Sequence, residues 1–320
     1  MKDKIRLYKK LSLIFIPVII LVVFFEVQAR NFQNGFALKK NFLEKDISDL
    51  DILILGSSHG YFSINPEVLS RNSFNLAFNS QDLYYDYKLL EKYKGSMKNL
   101  KCIILSVSYF TLWYDMNEAP EKWRKYFYKE YFGINPRSDL SLSDMADVKA
   151  YSFAFFYGFE RVLFGTLNKK AFSFGCDMNS SGWYTDTLNH ILDSTGIFMM
   201  KGKARVDFTN SLINKNNYTG NIRLLEQLVK YADDNGIKLL FITTPVSYPY
   251  SLYADKNICN EYWEKINSYT NNKNIFYLNY FNDKRFYMRD YHDFDHLNGE
   301  GAMKFSSILK DTMTALNIIK

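Results

Sequence analysis

Short apolar runs alternate with stretches of helical periodicity along most of this chain, and that alternation constrains its fold more than any other feature. Asp51-Ile-Leu-Ile-Leu55 ends at Gly56, as a buried parallel strand does. Phe74–Phe78, Leu100–Val107, Lys238–Thr243 and Asn274–Leu278 read as four further strands. Helical spacing runs from Asp82 to Tyr93, with Leu83, Tyr87, Leu90 and Tyr93 on one side. It returns from Asn221 to Asp234, before the stop signal Asn235-Gly236, and again over about 257–269 and 299–316. The pattern predicts an α/β fold: a mostly parallel open sheet with helices on both faces. Such a sheet places its site at the C-terminal ends of the strands.

The alternation breaks between about 109 and 216. Strand signals fade there and aromatic residues crowd, among them Trp113, Tyr114, Trp123, Tyr126, Phe127, Tyr128, Trp183 and Tyr184. This segment reads as a partly helical insertion after the third strand, lying near the site as a cap. Most of its rings are expected to form its own core, and the rest could stack on sugars or line an acyl groove. His190, inside it, has no visible partner and is assigned no role.

The N-terminus carries a different signal. Leu11–Phe25 reads LSLIFIPVIILVVFF, with Ser12 its only polar residue. Lys2, Lys4, Arg6, Lys9 and Lys10 precede it and should stay on the cytoplasmic side. Five basic residues against one acid in the first ten positions account for +4 of the net +6, so the remainder is nearly balanced and gives no footprint for nucleic acid. Residues 11–27 are expected to engage the membrane. Glu26 favours an uncleaved signal anchor, which makes the protein single-pass with its C-terminal domain extracytoplasmic. Val27-Gln28-Ala29 favours cleavage near Ala29 and secretion. Three cysteines (Cys102, Cys176, Cys259) exclude a disulfide scaffold, and the lack of a Cys/His quartet speaks against structural zinc.

Two motifs carry chemistry. Leu55-Gly56-Ser57-Ser58-His59-Gly60 follows the first strand directly. A strand, a glycine turn and a helix would expose a serine hydroxyl at the sheet edge, with backbone N–H groups aimed at whatever sits there. Such a serine is a nucleophile with its own N–H as oxyanion donor, or a helix cap, or part of a phosphate cradle. Tyr291-His292-Asp293-Phe294-Asp295-His296-Leu297-Asn298 precedes the last helix. The Asp293-x-x-His296 spacing lets a carboxylate accept from Nδ1–H while Nε2 faces outward to take a serine proton. The alternative is a metal cluster of His292, Asp293, Asp295 and His296. His59 reads as a substrate contact or as a packed histidine.

Together the two motifs resemble those of the SGNH (GDSL-like) hydrolase superfamily. Gly56-Ser57-Ser58 is similar to its relaxed Gly-Asp-Ser motif, with Ser58 in the nucleophile place. Asp293 and His296 match its Asp-x-x-His. Asp295-His296-Leu297-Asn298-x-x-Gly301-Ala302 resembles in particular the relatives that modify cell-envelope polymers, alginate-type O-acetyltransferases and the D-alanine transfer protein of teichoic acid among them. The resemblance covers about 50–108 and 220–318. With the N-terminal membrane signal this divides the chain into a 1–29 cytoplasmic basic tail and signal anchor, a 30–49 linker and a 50–320 domain interrupted by the insertion. The resemblance implies catalysis by Ser58, Asp293 and His296, with oxyanion contacts from the N–H of Ser58 and of Ser80, which stands at the family's glycine position. The family's third motif supplies an asparagine. Ser106-Val107-Ser108-Tyr109 lacks it, which leaves Asn79 or Ser108 to substitute, or slow turnover, or a different acceptor chemistry. The implied activity is a serine esterase or O-acyltransferase, without metal or cofactor. Its substrate would be acyl esters, acetyl above all, on cell-envelope polysaccharide, supplied in the transferase case by a membrane-embedded acyl donor protein.

Overall fold

The structure, a computed structural model, describes residues 2–45, 47–137, 146–168, 178–184 and 196–319. Cys176 and His190 lie outside these residues. Five parallel strands, β1 (Ile52–Gly56), β2 (Ser73–Asn75), β3 (Cys102–Ser106), β4 (Lys238–Thr243) and β5 (Ile275–Asn279), form one sheet in the order β2-β1-β3-β4-β5. All four pairings are parallel, with Ile54 opposite Asn75 and Gly56 opposite Ser106. Each strand tracks one of the sequence runs. The second is regular only over Ser73–Asn75: beyond it the Leu76 and Phe78 N–H groups still donate to the Ile54 and Gly56 carbonyls of β1 (2.8 and 3.1 Å), while the Ala77 N–H turns back to Asn75 Oδ1 (3.0 Å). The strand order reverses direction at β1, so the C-terminal ends of β1 and β3 flank the crevice where open α/β sheets take ligands.

Helices complete a three-layer α/β architecture. In chain order they are α1 (Lys2–Arg30), α2 (Gly35–Lys45), α3 (Ser58–Ser63), α4 (Pro66–Leu69), α5 (Leu83–Tyr93), α6 (Arg124–Phe132), α7 (Phe153–Tyr157) and α8 (Phe159–Leu167). They continue with α9 (Gly196–Ser211), α10 (Tyr218–Asp234), α11 (Tyr248–Tyr253), α12 (Lys256–Asn267) and α13 (Gly299–Ala315). Leu53, Ile54 and Leu55, Ile103 to Leu105 and Leu239 to Ile242 are wholly buried, as expected for strands covered on both faces. Leu225 and Leu228 of α10 and Phe305, Leu309 and Met313 of α13 supply the facing helical stripes. Cys102 and Cys259 are free, buried thiols.

The chain divides into two compact units. One comprises 1–37 with 138–176, and the other 38–137 with 177–320. The segment expected as one insertion therefore splits between them. In the first unit, α1 is the one helix among the described residues long and apolar enough to cross a membrane, over Lys4–Arg30. Within 30–49, expected as a linker, α2 is an ordered helix. Its Lys39 is buried in the second unit and donates to the carbonyls of Asn75 (2.8 Å), Ala77 (2.5 Å) and Gly182 (3.4 Å). The ammonium also faces the rings of Tyr61 and Phe78 at 4.8 and 5.0 Å, and burial drives its pKa well below the usual lysine value. The insertion's rings are mostly core: Tyr109, Trp113, Phe127, Tyr128 and Phe132 are buried.

Candidate active site

The site begins where β1 ends. Gly56 has φ +122°, and a Cβ there would stand 2.5 Å from the Ser106 carbonyl oxygen. Only glycine fits that turn. The Gly56 N–H donates to the buried Asp86 carboxylate (2.8 Å), which Gln81 also contacts (2.6 Å). Burial pushes Asp86 up to about 7. Ser57, in extended conformation, caps α3, and Ser58 opens it. Its N–H is therefore among the first-turn groups without an intrahelical acceptor.

The opposing loop is tied to itself. Tyr291 and Leu297 form an antiparallel bridge, and the His292 N–H meets the His296 carbonyl at 2.9 Å. Asp293 Oδ1 accepts from the N–H groups of Asp295 (3.1 Å) and His296 (2.9 Å), so the carboxylate that closes the turn also meets the ring of His296. The loop is buttressed by the chain that follows β4: Tyr291 Oη donates to the Val246 carbonyl (2.8 Å) and the Ser247 N–H to the Phe294 carbonyl (3.0 Å). Asn298 then caps α13 through the Gly301 N–H (2.9 Å).

These two pieces of chain, 238 residues apart, meet. His296 Nε2 lies 2.8 Å from Ser58 Oγ, and His296 Nδ1 lies 2.9 and 3.0 Å from the two Asp293 oxygens. An ionised carboxylate only accepts, so Nδ1 carries the proton and Nε2 accepts from the serine. Burial pushes the His296 pKa down, but Asp293 and Asp295 more than offset it and the net shift is upward. Burial also opposes Asp293, yet His296 and Arg205 hold its carboxyl well below the ordinary range.

Arg205, on α9, forms a two-pronged pair with buried Asp295, Nε to Oδ1 and Nη2 to Oδ2, both 2.8 Å. Asp295 Oδ1 stands 3.6 Å from His296 Nδ1, and Oδ2 stands 3.7 Å from His59 Nε2. Burial, reinforced by the charge on His296 and Arg205, lowers the His59 pKa well below its ordinary value, so it is a packed neutral imidazole beside Thr244 Oγ1 (3.4 Å). No sequence pattern marks Arg205: it sits in a helix with little amphipathic contrast, and its partner lies 90 residues on.

A cavity of about 310 Å³ opens over the serine. Phe62, Phe110, Phe208 and Leu212 give it apolar walls, and Glu121, Arg205 and His292 polar ones. Asn79 and Ser80 line it; Ser108 is not among its lining residues. The Ser108 N–H instead donates to Thr111 Oγ1 (2.8 Å). Ser80 adopts φ +58°, the left-handed conformation that favours glycine, and its hydroxyl donates to Glu121 (2.7 Å). Asn79 Oδ1 is buried with no hydrogen-bond partner. Donor atoms of His59, Asp295 and His296 come within 4.8 Å of one another, a grouping a metal ion could use. It differs from the four residues expected from sequence. Each residue would offer one atom, and since both His296 nitrogens already have partners, a metal here would displace either the Ser58 or the Asp293 contact of His296 and compete with Arg205 for Asp295.

No protein-family model and no curated protein matches this chain. The five-stranded parallel sheet with its flanking helices is of the general α/β kind found in hydrolase and transferase superfamilies, a kind that hosts many activities.

Proposed function

We propose that this protein is a membrane-anchored serine acyltransferase or esterase of the SGNH type, acting on acyl esters of cell-envelope polysaccharide. The observation that carries the reading is the hydrogen-bonded series Ser58 Oγ, His296, Asp293 at the mouth of a partly apolar cavity. In this reading Ser58 Oγ attacks the ester carbonyl while its proton passes to His296 Nε2. Asp293 holds the ring and stabilises the imidazolium. The oxyanion is met by the N–H groups of Ser58 and Ser80. Collapse breaks the C–O bond, His296 returns the proton to the leaving alcohol, and the acyl group stays on Ser58. Water then yields an esterase, and a sugar hydroxyl a transferase, with His296 taking the acceptor's proton in either case. The apolar walls at Phe62, Phe110 and Phe208 suit a short acyl chain and limit water. A membrane-embedded acyl donor protein would supply the transferase.

The basic residues at the start of α1, ahead of its apolar run, support a cytoplasmic N-terminus with the rest outside. Ala29 is fully buried and Glu26 accepts a hydrogen bond from Ser152, which supports an uncleaved anchor. A second reading, a catalytically quiet glycan-binding or assembly protein, draws support from the missing asparagine and from Ser108, which does not reach the cavity. The full chain in detergent, offered a chromogenic acetyl ester with and without glycan acceptors, separates them. The first reading expects turnover and fluorophosphonate labelling, both lost in Ser58→Ala; a folded protein that neither labels nor turns over favours the second. Acceptor-dependent transfer distinguishes transferase from esterase.

A further inference from the structure

Residues 146–168 pack against the end of α1. The Glu26 carboxylate accepts from Ser152 Oγ (2.6 Å) and from the N–H groups of Phe153 (3.3 Å) and Ala154 (3.1 Å), so α1 itself caps α7. Phe25 meets Phe159 edge-on at 5.2 Å, Phe32 meets Tyr157 at 5.7 Å, and the Arg30 guanidinium lies 5.3 Å from the Phe153 ring centre. Ala29 of α1 and Val162 of α8 are fully buried.

That packing uses one side of the helix pair and leaves another apolar. Phe155 is 42% exposed, Leu163 46%, Phe164 59% and Leu167 74%. The last three stand at i, i+1 and i+4 on α8; exposed Glu160 lies on the same side in the first turn, and Arg161 and Asn168 mark a polar edge. Phe155 extends the patch through its ring contact with Phe159 (4.9 Å). Tyr151 and Lys149 are exposed just ahead of α7. An apolar surface of this exposure, carrying Glu160 at the start of α8 and edged by Arg161 and Lys149, marks an interaction site.

Its place along α1 identifies the occupant. The apolar run of α1 ends at Phe25, and the residues that receive α7 and α8 are Phe25, Glu26, Arg30 and Phe32. Glu26 and Arg30 are charged and paired at 2.7 Å, which places this level of α1 at the headgroup boundary when its apolar run is in the bilayer. We propose that α7 and α8 form a non-spanning membrane foot. Phe155, Leu163, Phe164 and Leu167 insert into the headgroup–acyl boundary, and Glu160 in the first turn of α8, Arg161, Lys149 and the Tyr151 hydroxyl face the headgroups. Interfacial helices seat their apolar side about 5–10 Å into that boundary. The foot fixes the rotation of α1 as well as its depth, and holds independently of the chemistry at Ser58.

The test is an added tryptophan at Phe164→Trp or Leu167→Trp in the full chain, reconstituted in phosphatidylcholine–phosphatidylglycerol vesicles at three to one. Ile19→Trp reports α1, and Lys230→Trp is a solvent control. Spectra are read as differences from the parent, whose four tryptophans are common to all. The foot predicts blue-shifted emission at 164 and 167 that loses at least half its intensity to lipids brominated near the headgroup end of the chains, and less to lipids brominated at the methyl end. Solvent-like, unquenched emission at both sites with Ile19→Trp quenched overturns the foot. So does blue-shifted emission without quenching, which reports a protein contact. An unquenched Ile19→Trp overturns the membrane reading of α1 itself, and the foot with it.

Discussion

Asp295→Asn and Arg205→Met should move the titration of His296 in opposite directions. The Asp295 carboxylate lies 3.6 Å from Nδ1 and favours the charged ring; Arg205, on the other side of that carboxylate, disfavours it. Two unit charges at that separation interact by roughly 4–5 kcal/mol at an effective dielectric of about 20, which corresponds to about three pH units. Arg205 is one-third exposed and would relax toward cavity water once its partner is neutral, so a downward displacement of about one to two units is expected for Asp295→Asn. Arg205→Met leaves a buried carboxylate beside the ring and displaces the midpoint upward, with a loss of about 3–5 kcal/mol in stability from the broken pair. The direct assay is an NMR titration of the imidazoles; the chain has four, and Ser58→Ala helps assign His296. The acidic limb of kcat/KM for acetyl-ester hydrolysis should follow the same midpoints, because the base must be neutral. If both variants fold and His296 titrates unchanged, or both shift it the same way, the electrostatic role given to this pair is refuted.

Other consequences are simpler. Gly56→Ala places a methyl group against the Ser106 carbonyl at a glycine-only φ and should cost more than about 3 kcal/mol, measured by thermal melting. Ser80→Gly removes a left-handed strain of about 1–2 kcal/mol but also the hydroxyl bond to Glu121, so stability should change by less than about 1 kcal/mol. It should keep activity, because the backbone N–H remains; a folded Ser80→Gly that has lost activity would refute a purely backbone role for Ser80 in the oxyanion contacts. Asp86 is raised in the folded state to about 7, so the fold holds a proton that the unfolded chain has released, and stability falls as pH rises from about 4 to 7. Asp86→Asn stays neutral and should gain about 2–4 kcal/mol over the parent at pH 8, with a smaller gain at pH 5; an equal gap at both values rules this out.

The sheet was legible because its strands are buried on both faces and read as uninterrupted apolar runs, while α5, α10 and α13 carry single stripes. The meeting of Ser58 and His296 was legible for a topological reason: each motif abuts a sheet element, and parallel strands bring such loops to one edge. Arg205 was not legible, since a salt bridge formed across 90 residues leaves no local pattern. Lys39 was missed for the opposite reason. A lysine in a polar stretch reads as solvated, and only the carbonyls converging from Asn75, Ala77 and Gly182 make a buried ammonium tolerable. The insertion was read as one body because aromatic density alone cannot say which rings face which partner. Residues 138–176 group with α1, while Phe110, Tyr114 and Phe208 line the cavity.

The cap that Glu26 places on α7 has a practical corollary for anyone preparing this protein. Cutting the chain near residue 30 to obtain a soluble fragment deletes the acceptor for two backbone amides and a hydroxyl, and strips the ring that covers Phe159. What looks like a disposable tether is half of a small fold, and a preparation lacking it should be sticky and partly unravelled between 146 and 168 even where the sheet is intact.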